Sequence, residues 1–114
     1  MSSVYVSNLI INTGATFSQS FDLLDSESSG PLNLNGFTVA SQFRKHAGSS
    51  TKTDFTTAIT DATNGQISIS LTSTQTAAIS KPGRYVYDVV IDNGSSVKTR
   101  VIEGSVLVRE GVTK

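Results

Sequence analysis

Tyr85-Val86-Tyr87-Asp88-Val89-Val90-Ile91-Asp92-Asn93-Gly94 is the stretch that decides how this chain folds. Tyr85, Tyr87, Val89 and Ile91 recur at every second position, the spacing at which side chains of an extended strand return to one face. Val86 and Val90 make the opposite face apolar as well, so this strand is expected to be central in its sheet. Asn93-Gly94 closes it, because this dipeptide readily takes the positive φ angles of a type I′ hairpin turn. The next run, Val97 to Arg109, changes phase near Glu103-Gly104, after which Val106 and Val108 carry the apolar side. A glycine at a phase change predicts a bulge there.

The same rhythm extends upstream. Phe17, Gln19, Phe21 and Leu23 share one face, with Ser18, Ser20 and Asp22 on the other. Phe37, Val39, Ser41 and Phe43 repeat it, as do Thr53, Phe55, Thr57 and Ile59, and then Ile67, Ile69 and Leu71. Asn64-Gly65 turns the chain between the last two of these runs, while Ser26 to Pro31 and Ala47 to Ser50 are polar clusters expected at exposed tips. Thr72 with Gln75 three residues later reads as a capping box, and Pro82 forbids continuation, so one or two helical turns are expected. Ala78 and Ile79 are expected to plug the end of the core. Short hairpin-linked strands in this number bury their apolar faces only as two packed sheets. The expected fold is an all-β, immunoglobulin-like antiparallel β-sandwich of about seven strands with one short helical turn. Residues 8–114 form its single domain, and residues 1–7 read as an N-terminal arm that pairs with something else.

Composition narrows the function. A chain of 114 residues is one domain's worth of polypeptide. Its 9 Lys+Arg balance 9 Asp+Glu, so no overall field steers it to nucleic acid or to anionic lipid. The absence of cysteine removes disulfides, thiolate metal sites and a cysteine nucleophile. Leu9-Ile10-Ile11 and Val89-Val90-Ile91 fall far short of the roughly 20 residues that span a bilayer. Met1-Ser2-Ser3-Val4 has neither the basic start nor the apolar stretch of a secretory leader, and no secretory route is expected.

Few side chains can do chemistry. His46 is the only imidazole and would have to act as base with an acid such as Asp54 and a serine, but no Gly-x-Ser-x-Gly elbow accompanies it. It reads instead as a solvated strand end. Asp88 and Glu103 are the pair that a glycosidase would use, yet cross-strand pairing with Arg84 or Arg100 is the plainer use. Asp22, Asp25 and Glu27, or Asp61 with Asn64, offer oxygens to a hard cation without the spacing of an EF-hand, and Asp61 suits a local Asx-type turn bond. The five phenylalanines all fall on apolar phases and read as core. No catalytic, cofactor or metal residue is therefore assigned. What remains is the backbone itself: sheet edges offer strand addition, with main-chain hydrogen bonds supplying affinity. The interaction candidates are Val4, Tyr5 and Val6 of the arm, and the short basic cluster Arg44, Lys45 and His46.

Gly65-Gln66-Ile67-Ser68-Ile69-Ser70-Leu71-Thr72, then Gln75-Thr76-Ala77-Ala78-Ile79, Pro82 to Val89 and Val101 to Val108 resemble small β-sandwich domains of tailed-phage virion proteins. Leu32 to Val39 and Gln42 to Lys45 extend the likeness over most of the chain. These domains are similar to the N-terminal module of the baseplate upper protein family and to domains that begin some phage tail-fibre proteins. The resemblance implies a non-enzymatic virion building block docked on a larger assembly as a tail, baseplate or neck adaptor or accessory protein. It also implies partners among other virion structural proteins, a symmetric homo-oligomer or multiple copies, and assembly in the host bacterial cytoplasm, without cofactor, nucleic acid or membrane. A capsid decoration protein is one alternative. A carbohydrate- or cell-surface-binding module is another, and would expose Tyr5, Tyr85 or Tyr87 beside polar loops.

Overall fold

In the computed structural model, which describes residues 5–24, 30–46, 48–50, 52–79, 81–95 and 97–111, each alternating run becomes a strand. In chain order these are β1 (Tyr5–Val6), β2 (Leu9–Asn12), β3 (Phe17–Asp22), β4 (Thr38–Arg44), β5 (Lys52–Asp54), β6 (Thr56–Asp61), β7 (Gln66–Leu71), the helix α1 (Ser73–Ala77), β8 (Gly83–Asp92) and β9 (Lys98–Arg109). One sheet has the order β1-β9-β8-β4-β5, with β2 also pairing β9; the other has the order β3-β7-β6. The fold is a β-sandwich with one short helix, and β8 lies at the middle of the larger sheet as its two apolar faces require.

Two breaks raise the strand number above the seven or so expected. The run Thr53 to Ile59 alternates without interruption, yet the chain leaves one sheet for the other at Phe55. Up to that point it pairs with β4, ending with Phe55 N–H donating to Ser41 O at 3.0 Å. Beyond it β6 pairs with β7, and the Thr57 hydroxyl donates back to Val39 O at 2.9 Å. At the N-terminus, Ser7 and Asn8 separate β1 from β2, and both run parallel to β9 in a fold otherwise paired antiparallel. Residues 5 and 6 of the expected arm thus pair with the chain's own last strand, while residues 1–4 lie outside the described residues.

Three local expectations are corrected. The bulge is at Val101, not Gly104: Val89 pairs with Ile102 and Val90 with Arg100, so Val101 is the extra residue and both Val101 and Ile102 turn inward. Gly104 serves another purpose, since a Cβ there would collide with the Ser7 carbonyl. The β8–β9 connection is wider than a two-residue turn. Asp92 pairs with Lys98, and Asn93 Oδ1 accepts from Ser95 N at 2.8 Å and Val97 N at 3.3 Å, side-chain acceptors that hold a longer loop open. The fully buried plug at the end of the core is Thr76; of the two residues expected there, Ile79 packs against the core and Ala78 does not. Thr76 is fully buried, its hydroxyl accepting from Gly14 N at 3.0 Å and donating to Ala15 O at 2.9 Å. Ala78 is exposed, and Ile79 is half-buried against the core. The Thr72–Gln75 capping box forms as its spacing predicts.

The core fills the space between the sheets. Phe55 stands at its centre, with ring centroids 5.7 Å from Phe17, 5.2 Å from Phe43 and 6.2 Å from Tyr87. Ile67, Ile69 and Leu71 of β7 face Val89, Ile91, Val106 and Val108 of the larger sheet, all buried. Burial of each such side chain stabilises the fold by roughly 1.5–3 kcal/mol relative to exposure.

Candidate functional site

The outer face of the larger sheet carries the chemistry-bearing side chains. Strand register sets Val6, Glu103, Asp88, Gln42 and Asp54 in one row across β1, β9, β8, β4 and β5. The neighbouring row on one side is Ser105, Val86, Arg44 and Lys52, and on the other Arg100, Val90 and Ala40. Much of the β9–β8–β4 part of these rows, together with Val6 and with His46 just beyond the end of β4, lines a trough of about 700 Å³.

Its polar groups are mostly engaged with one another. Asp88 and Glu103 face each other directly across β8 and β9, a like-charge opposition that costs stability. Arg100 Nε, 3.3 Å from Asp88 Oδ2, offsets part of that cost. Arg44 donates to Ser49 O at 2.7 Å and to Gln42 Oε1 at 3.2 Å, which fixes its guanidinium along the floor. Asp54 pairs with Lys52 at 3.0 Å at the sheet edge. The apolar members stay open to solvent, with Val6 75% and Val86 40% exposed.

The interaction candidates divide. Val6, Arg44 and His46 come together in the trough lining although the first two are 38 positions apart in sequence. Lys45 does not join them; its ammonium lies over the Tyr85 ring at 4.9 Å, a cation–π contact. Tyr5 lies opposite Ile102 in β1, and Val4 falls outside the described residues. Sequence reasoning missed Gln42 and Val86 as members of this site, although it named Arg100 as a cross-strand partner for the acids. Each occupies an outward phase of its strand, but their adjacency depends on register and on the bulge at Val101.

Three of the acids weighed for catalysis or metal binding are engaged by near neighbours. Asp88 is held by Arg100, as the cross-strand reading expects, and the acid suggested for His46, Asp54, is held by Lys52. Asp61 accepts from the Asn64 backbone at 3.3 Å and from its side chain at 2.8 Å, the turn bond expected of it. Asp25 and Glu27 lie outside the described residues. Among the described residues, no three His, Cys, Asp or Glu side chains are grouped to hold a metal ion, and no helix is long and apolar enough to cross a membrane. Tyr87 is buried and donates to Ser7 O at 2.6 Å; burial raises its pKa above the usual tyrosine value. Tyr85 is half-buried, its ring edge-on to Phe43 at 5.4 Å.

Residues 4–109 match the family described as LtfC-like, beta-sandwich domain. Among solved structures, the N-terminal domain of phage TP901-1 ORF48 is similar in fold, with a TM-score of 0.55 and 15% identity, over 90% of this chain and 85% of that one. The Listeria monocytogenes internalin-like protein lmo2027 aligns with a TM-score of 0.43 and 14% identity, over 95% of this chain and 28% of that one. No curated protein matches the sequence.

Proposed function

The chain belongs to the LtfC-like β-sandwich domain family, and from that premise we propose that it is a non-enzymatic structural protein of a tailed-bacteriophage virion. It docks on a larger assembly as a tail, baseplate or neck adaptor or accessory protein. The observation that carries this reading is the fold shared with the N-terminal domain of phage TP901-1 ORF48 over 90% of the chain. The resemblance of the β7–α1–β8 segment to baseplate upper protein modules supports the same reading.

The outer trough is the contact surface under this proposal. Val6 and Val86 supply exposed apolar area, while Asp88, Arg100 and Arg44 beside them are already paired or hydrogen-bonded and set orientation more than affinity. The carbohydrate-binding alternative draws no support from the site, because Tyr87 is buried and Tyr85 is packed between Phe43 and Lys45.

Immunogold labelling of purified phage particles from the source of this sequence tests the proposal. Label on the tail or baseplate is the expected result. Label distributed over the head would replace the tail reading with capsid decoration, and particles lacking the protein would overturn the virion reading altogether.

A further inference from the structure

The strand β3 reads Phe17-Ser18-Gln19-Ser20-Phe21, a palindrome centred on Gln19. It is also the edge of the smaller sheet, paired among the described residues with β7 on one side only. The other edges are each blunted or short. On β6 the register shifts between Ile59 and Asp61, and Thr57 is tied to β4. β5 has three residues, two of them charged, β1 has two residues and β2, the other strand beside β9, has four. β3 has six regular residues with no proline, no lysine or arginine and no shift of register, and Ser18, Gln19 and Ser20 are all exposed. Natural proteins rarely leave such an edge without a use.

The direction of its peptide groups follows from parity. Leu23 N–H donates to Gly65 O at 2.8 Å, on the side of the β6–β7 hairpin. In an extended strand groups two residues apart point the same way, so Phe17, Gln19 and Phe21 bond to β7 and those of Ser18 and Ser20 point to the open edge. The Ser20 carbonyl accepts instead from the side chain of the adjacent Gln19, Nε2 to O at 3.1 Å.

We propose that β3 pairs antiparallel with β3 of a second copy of this chain about a two-fold axis at Gln19, joining the two smaller sheets into one. A two-fold interface needs a surface complementary to itself, and a palindromic edge supplies that complementarity. In this register Ser18 of each copy faces Ser20 of the other, and both have the outward peptide groups that exchange N–H···O bonds. Phe17 faces Phe21 on the core side, which continues the apolar layer across the axis. Gln19 faces its own counterpart, and its amide exchanges the Ser20 carbonyl for that neighbour. Asp22 falls opposite Thr16 of the second copy, so the two carboxylates do not meet. The inference concerns the isolated chain and stands apart from the virion reading.

Sedimentation equilibrium over protein concentrations from roughly 1 µM to 1 mM, the range for small interfaces, is the test. The wild-type chain is expected to pass from monomer to dimer. Gln19→Lys places two ammonium groups together on the axis and is expected to weaken association at least tenfold, as is Gln19→Glu. An equimolar mixture of the two variants is expected to associate again as a heterodimer. Ser20→Pro removes an outward N–H, a change an edge strand tolerates, and is expected to leave a folded monomer by circular dichroism. A wild-type chain that stays monomeric throughout, or Gln19→Lys that dimerises as wild type does, would overturn the proposal.

Discussion

The Tyr87 hydroxyl donates to the Ser7 carbonyl at 2.6 Å, so the central strand β8 holds the break between β1 and β2 from inside the sandwich. Burial raises the Tyr87 pKa, so the folded state retains this proton more strongly than the unfolded chain. The resulting stabilisation is fully present below the unfolded value of about 10 and is lost as pH rises through the folded value. Urea denaturation from neutral pH to pH values above the tyrosine range is expected to show this alkaline loss. Tyr87→Phe is expected to lose about 0.5–1.5 kcal/mol at neutral pH with its hydrogen bond, and to show a shallower alkaline decline.

Gly104, paired with Tyr87 across β8 and β9, lies directly beneath the same Ser7 carbonyl. Because a Cβ would overlap the Ser7 carbonyl, Gly104→Ala must push the Ser7-Asn8 link away from β9. A loss of about 1–3 kcal/mol is expected in chemical denaturation, typical of overpacking. Hydrogen exchange at Ser7, whose amide donates to Glu103 O at 2.9 Å, is expected to accelerate more than exchange in β7.

Thr76→Val keeps the volume of the buried plug but removes its hydroxyl. Gly14 N–H and Ala15 C=O then lose the partner that holds the β2–β3 turn against the helix. The expected cost is about 1–3 kcal/mol, from polar groups left unpaired. A Thr76→Ser variant, which retains the hydroxyl, is expected to recover most of it.

Phe55 is where the chain changes sheets and where four aromatic rings meet, so its truncation affects both layers. Phe55→Ala is expected to cost about 3–5 kcal/mol. Arg100→Ala provides a contrast at the surface, since its partly exposed ion pair with Asp88 is expected to contribute within about 0–1 kcal/mol. Thermal denaturation of the two variants side by side checks the ranking.

Local chemistry was readable from the sequence, and distant pairing was not. The Thr72–Gln75 capping box, the Asp61–Asn64 turn and the apolar face of β7 each depend on residues within a few positions of one another. The passage at Phe55 left no mark, because a strand can change sheets without changing phase and Thr53, Phe55, Thr57 and Ile59 alternate straight through it. Gly104 was visible as an anomaly, but its reason is Ser7, nearly the whole chain away. The trough was hidden for the same cause. Arg44, Asp88 and Arg100 become neighbours only through the β4–β8–β9 register, and the extra residue at Val101 decides which side chain stands beside Asp88.

The parallel pairing of β1 and β2 with β9 bears on how the molecule is born. A ribosome extends a nascent chain at about 5–20 residues per second, N-terminal end first. Leu9 to Asn12 therefore emerge long before Val106 to Arg109, the residues they must bond. Until then these two strands lack their partner and stay adhesive, so translation itself exposes the chain to associations that the finished sheet prevents.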